Sequence, residues 1–128
     1  MLIDINSDKS IYIQISEAIE NEILIGNLQE EEQAPSTNQF AKVYQINPAT
    51  AGKGLNLLVE EEILYKKRGI GMFVALGAKK KILKKRQKNF FTEKLPEIIG
   101  EAQRLEISTE ELINFIVEYE GGKQDAGN

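Results

Sequence analysis

The chain has 128 residues, 41% of them hydrophobic, a formal charge of −4 and neither cysteine nor histidine. That length allows one compact domain, or one small domain with an attached helical piece. The missing thiols and imidazoles exclude disulfides, the usual zinc sites and Cys- or His-based nucleophilic triads.

No apolar run reaches the length of a membrane span, and the first residues lack a secretory pattern, so a cytoplasmic protein is expected. No nucleophile–base pair, phosphate-cradling glycine loop or metal-ligand spacing is recognisable, so neither enzyme chemistry nor a cofactor is expected.

Leu2-Ile3-Asp4-Ile5 alternates and reads as a short strand or an ordered arm. Ile11, Ile15, Ile19 and Ile23 then recur every four residues, with Ala18 beside them. This spacing predicts an amphipathic scaffold helix ending at Gly26, with Tyr12 and Gln14 at its periphery. Glu30-Glu31-Glu32 reads as a solvated loop.

From Pro35 the chain opens a helix with Ser36 and, three residues on, Gln39, the reciprocal pattern of a capping box. Phe40, Ala41 and Tyr44 give that helix one apolar side. Asn47-Pro48 then combines a cap side chain with a proline at the first helical position, so a second helix follows after a turn of two or three residues. Ala51, Gly54, Leu55 and Leu58 fall at core spacing, which leaves Ala49, Thr50, Lys53 and Asn56 or Leu57 on other sides. Small, hydroxyl and cationic groups on a free helix face suit a DNA groove. Gly52 and Gly54 each cost a helix about 1 kcal/mol against alanine; they either permit a close approach or are merely tolerated.

After Glu60-Glu61-Glu62 the period changes to two, through Ile63–Arg68, a Gly69-Ile70-Gly71 tip and Met72–Ala75. The pattern is a hairpin. Lys66, Lys67 and Arg68 beside a glycine tip suit the narrow minor groove. Positive charge is local: residues 66 to 88 contain ten Lys and Arg and no carboxylate. The lysine-rich part either contacts flanking phosphates or forms the solvated side of a linker helix.

Leu76-Gly77-Ala78 reads as a hinge and Lys79–Arg104 as one long helix that Pro96 kinks or interrupts. Ser108 and Glu111 form a second capping box, opening a last helix that Gly121-Gly122 should end, with Lys123–Asn128 as a frayed tail. These two helices carry Phe91, Leu95, Ile98, Ile99, Leu112, Phe115, Ile116 and Tyr119, too much apolar surface for so short a segment to bury alone. A partner is required, either the preceding domain or a second copy.

In order and spacing the whole resembles the GntR-type winged helix-turn-helix regulators. The resemblance is carried by Ile11-Tyr12-x-Gln14-Ile15, Pro35-Ser36, Asn47-Pro48-x-Thr50 and Arg68-Gly69-x-Gly71-x-Phe73-Val74. The short helical tail is similar to that of the YtrA-like subgroup. The resemblance implies a mainly α fold with a small antiparallel hairpin. Residues 1–76 would form a winged DNA-binding domain, 77–122 a helical dimerisation tail built on the eight apolar residues above, and 123–128 a disordered terminus.

It further implies a homodimeric repressor on palindromic duplex DNA, touched by Ser36, Asn38, Asn47, Ala49, Thr50, Lys53, Lys67, Arg68, Gly69 and Gly71. Asn38 replaces the family's usual arginine, Glu30–Glu32 its proline-glycine turn, and Ile70 a polar or basic residue. Asn38, the helix glycines Gly52 and Gly54 and the acidic loop would weaken a DNA face and sustain an alternative, a winged-helix protein-interaction module. No small-molecule effector is specified by the sequence.

Overall fold

The computed structural model describes residues 3–126, with side chains described for residues 3–122. The chain forms two compact units, Met1–Arg86 and Gln87–Asn128.

In the first unit, helix α1 (Ile11–Leu24) buries Ile15, Ile19 and Ile23, and Gly26 follows its end at φ +86°, a left-handed position that glycine adopts without strain. Of the alternating N-terminal stretch, Leu2 lies outside the described residues. Ile3 to Ile5 form no strand but an arm that Gln14 holds, its Oε1 accepting from Asp4 N at 2.7 Å and its Nε2 donating to Asp4 O at 2.8 Å.

Helix α2 (Thr37–Tyr44) starts with the expected capping box: Ser36 Oγ accepts from Gln39 N, and Gln39 Oε1 accepts from Ser36 N. It ends on Gln45 in the left-handed region. Asn47 then caps helix α3 (Pro48–Glu60), its Oδ1 accepting from Ala49 N at 2.7 Å. The buried side of α3 is Ala51, Gly54, Leu55 and Leu58, as its spacing predicts. The two helix glycines differ. A Cβ on Gly54 would lie 2.7 Å from Tyr12 O and 2.8 Å from Ile15 Cγ2, whereas one on Gly52 would make ordinary contact, 3.5 Å from Thr37 Cγ2. Gly54 is therefore required for α3 to lie against α1, and Gly52 is only tolerated.

Strands β1 (Leu64–Lys67) and β2 (Gly71–Val74) pair antiparallel in the register Leu64↔Val74 to Lys67↔Gly71, leaving Arg68-Gly69-Ile70 as the tip. The acidic stretch is not simply a solvated loop. Residues 31–34 run along the outer edge of β2, with Glu31 N donating to Val74 O, Val74 N to Glu32 O and Ala34 N to Met72 O. Glu31 then accepts a hydrogen bond from Tyr65 OH at 2.8 Å. The edge of a two-stranded ribbon leaves backbone groups unpaired, and this segment satisfies them.

Helix α4 (Ala78–Asn89) seats Ala78 and Ile82 in the same core as α1 and α3. Part of the lysine run is engaged by acceptors of the chain itself. Lys85 Nζ donates to the buried Glu20 and lies 3.1 Å from Glu61; Arg86 reaches Glu20 at 3.0 Å and Asn21 at 2.7 Å; Lys81 donates to Glu62 O. Glu20 is 1% exposed, so its charge needs these cations.

In the second unit a π-helical segment (Phe90–Lys94) precedes α5 (Leu95–Arg104). The interruption expected at Pro96 takes this form. A proline cannot donate to the carbonyl four residues back and its ring crowds that carbonyl, which the wider turn relieves. Helix α6 (Thr109–Ala126) opens on the Ser108–Glu111 capping box. It does not end at Gly121-Gly122 but runs on to Ala126, so Lys123 to Ala126 are helical; Gly127 and Asn128 lie outside the described residues. Glycine weakens a helix without removing a backbone donor, so the ladder can continue through it. Among the described residues of this unit only Ala102 is buried.

Candidate nucleic-acid interface

Helix α3 presents Ala49, Lys53, Asn56 and Leu57 in one shallow concavity, with Tyr12 of α1 and Glu60 at its sides. Lys53 Nζ sits 4.1 Å from the centroid of the Tyr12 ring. A cation over an aromatic face keeps its charge while its stem is steadied. Tyr12, read from the sequence as peripheral, thus orients the main cation of this face. Thr50, in the first turn of α3, is half-buried and is not among the residues that line this concavity.

Ser36 and Asn47 are both exposed, and both spend an acceptor on capping. Each keeps its donors, the hydroxyl proton of Ser36 and the amide protons of Asn47, unused among the described residues. Donors at helix N-termini are what an acceptor-only phosphate needs. Asn38 is exposed in the first turn of α2.

At the hairpin, Lys67 Nζ lies 4.3 Å from the Phe73 ring centroid, and Lys66 and Arg68 are exposed. Among the described residues none of Lys53, Lys66, Lys67 or Arg68 is in an ion pair, whereas Lys81, Lys85 and Arg86 are. The tip has Gly69 at φ +78° and Gly71 at φ +147°, values that glycine alone adopts readily. Ile70 N donates to Lys67 O at 3.0 Å, and Gln33 Nε2 donates to Ile70 O at 3.2 Å, pinning the tip from both sides. Gln33 is a residue that sequence reasoning missed; only the fold brings it beside a tip 37 positions away.

At the base of the hairpin the Glu31 carboxylate accepts the Tyr65 hydroxyl proton and holds that phenol above the usual tyrosine range. The eight apolar residues expected at a dimer contact belong to the second unit. Phe91, Ile98, Ile99, Phe115, Ile116 and Tyr119 are exposed, and Leu95 and Leu112 half-buried.

No family model matches the chain. Among curated proteins it is 28% identical over 127 residues to the HTH-type transcriptional repressor YtrA of Bacillus subtilis, covering 96% of this chain and 97% of that one. It is 36% identical over 75 residues to the HTH-type transcriptional repressor NagR of the same organism, covering 59% of this chain but 31% of NagR. The chain thus spans about a third of the length of NagR.

Among solved structures, the DNA-binding domain of AraR in complex with operator ORE1 superposes with a TM-score of 0.52 at 26% identity, over 59% of this chain and 94% of that one. A transcriptional regulator of the GntR family from Bacteroides thetaiotaomicron superposes with a TM-score of 0.75 at 33% identity, over 89% of this chain and 99% of that one. On that identity and coverage, together with its helix-turn-helix and hairpin, the chain belongs to the GntR family of transcriptional regulators.

Proposed function

We propose that the protein is a DNA-binding transcriptional regulator that reads duplex DNA with α3 in the major groove and the hairpin as a wing in the minor groove. It acts as a homodimeric repressor on a palindromic site. The observation that carries this reading is the division of the cations: those of α4 nearest the core are neutralised by the chain's own carboxylates, while Lys53 on α3 and Lys66, Lys67 and Arg68 on the hairpin are left for an outside anion. DNA supplies that anion, and release of its counterions drives binding. Thr50 and Ala49 would meet base edges, Ser36, Asn38 and Asn47 phosphates, and Arg68 with Gly69 and Gly71 the minor groove.

The division into a reading head and a dimerisation tail rests on the second unit's exposed apolar residues. A second copy of the same surface would cover Phe115, Ile116 and Tyr119, and two-fold pairing would match a palindrome. The names of YtrA and NagR support repression, and a cytoplasmic location follows from action on DNA.

The test is fluorescence anisotropy with labelled duplexes across a salt series. Binding should weaken steeply with salt, and Lys53→Ala and Arg68→Ala should each lower affinity. Absence of duplex binding at every salt concentration, with a protein partner recovered instead, would favour the docking-module reading.

A further inference from the structure

Away from the α3 face, the first unit carries a cleft of about 880 Å³ between the C-terminal half of α1, residues 27–35 and α2. Its floor is made by the buried side chains of Leu28 and Phe40, and the Tyr44 ring, 4.6 Å from that of Phe40, adds an aromatic wall. The rim carries two carboxylates, Glu22 and Glu32, and one cation, Lys42.

Asn27 Nδ2 donates to one oxygen of Glu22 at 3.0 Å. The other Glu22 oxygen and both oxygens of Glu32 have no side-chain partner among the described residues, and Lys42 pairs with neither. A pocket of this size with an apolar floor and a few polar groups is the usual form of a small-molecule site. Aromatic rings below unneutralised carboxylates select a cation over an anion.

We infer that this cleft binds a small organic ammonium ion with an aromatic or branched apolar body, its charge at Glu22 and Glu32 and its body against Phe40 and Tyr44. Two further lining residues connect the cleft to the reading surface. Gln33 holds the hairpin tip through Ile70 O, and Gln39 closes the capping box of α2 by accepting from Ser36 N. An alkylammonium ion that donates to Gln39 Oε1 competes with Ser36 N and opens the capping box of α2, so filling the cleft lowers DNA affinity; this coupling rests on the proposed DNA-binding role, and the binding itself does not.

The experiment uses the isotope-labelled full chain with phenethylammonium and benzyltrimethylammonium as probes and phenylacetate as the anionic control of like shape. The ammonium ions should cause saturable amide shifts at Leu28, Ala34, Phe40 and Tyr44, and phenylacetate should not. The Glu22→Gln/Glu32→Gln double variant, altered only at the rim, should bind the probes about tenfold more weakly, as expected for loss of a charge-assisted contact. No saturable shift up to about 10 mM probe, an equal response to phenylacetate, or unchanged affinity in the double variant would overturn the site.

Anisotropy with duplex DNA provides the second readout. Loss of DNA affinity with phenethylammonium, which carries N–H donors, in the wild type but not in the double variant supports the coupling, and unchanged affinity overturns it. If the chain binds no duplex at all, the functional reading and the coupling fail together, while the amide shifts still decide the cleft.

Discussion

The two glycines inside α3 allow a test in which neighbouring, chemically identical substitutions should act with opposite sign. Glycine to alanine in a helix interior ordinarily stabilises by about 1 kcal/mol. At Gly52 the added methyl group meets Thr37 Cγ2 at 3.5 Å, an ordinary contact, so most of that gain should appear. At Gly54 the methyl group would lie 2.7 Å from Tyr12 O and 2.8 Å and 2.9 Å from two carbons of Ile15, a fully buried residue on the facing helix. Neither a backbone carbonyl nor a β-branched core side chain can swing aside. Overpacking of this kind costs about 1–3 kcal/mol, and the rigid neighbours place Gly54→Ala at the upper end.

Subtracting the propensity gain leaves a net loss of about 2 kcal/mol. For a domain of this size each kcal/mol moves Tm by roughly 4–8 °C, so Gly54→Ala should lower it by about 8–16 °C and Gly52→Ala should raise it by a few degrees. Thermal denaturation followed by far-ultraviolet circular dichroism reads both. A Gly54→Ala protein as stable as Gly52→Ala would refute the close approach of α1 and α3.

Other substitutions separate the remaining parts of the account. Lys53→Ala should reduce the salt dependence of DNA binding by about one counterion, and Tyr12→Leu, which removes the ring beneath the lysine, should weaken binding with that dependence retained; a Tyr12 variant with unaltered affinity would remove the supporting role. Glu20→Ala strips the buried acceptor from Lys85 and Arg86, and because both cations remain partly solvated the expected loss is about 2 kcal/mol in urea denaturation, below the full cost of breaking a buried pair. Tyr65 should ionise above the ordinary tyrosine range in ultraviolet difference titration. A folded pKa above the unfolded one means that its stabilisation is complete below the ordinary tyrosine range and is lost as pH rises through the raised value; Glu31→Gln should lower the Tyr65 pKa toward the ordinary tyrosine range. Phe115→Asp with Ile116→Asp should convert a dimer to a monomer in sedimentation equilibrium, and a wild-type chain that is already monomeric would remove the tail from the interface.

What was legible in the sequence is what neighbouring residues decide. The Ser36–Gln39 box, the Asn47-Pro48 start and the buried face of α3 depend on spacings within one or two turns, and the glycine tip on local backbone geometry. The contacts that the sequence does not mark join distant positions. Tyr65 meets Glu31 from 34 residues away and Arg86 meets Glu20 from 66, and nothing beside either residue marks its partner. A run of three glutamates reads as a solvated loop until β2 is seen to need an edge partner, and a lysine run reads as one field until Glu20 and Glu61 divide it. Gly52 and Gly54 are indistinguishable in sequence because the difference lies wholly in α1. At Gly121-Gly122 the continuity of the helical ladder outweighs local propensity.

The most direct test of DNA reading is selection of bound duplexes from a random pool by the full chain, repeated with Lys53→Ala and Arg68→Ala. A two-fold symmetric consensus, with Lys53→Ala relaxing preference in the half-sites and Arg68→Ala weakening binding at their flanks, is the expected result. Enrichment of no sequence, or of a consensus that both variants select as efficiently as the wild type, would contradict a reading surface made of α3 and the hairpin.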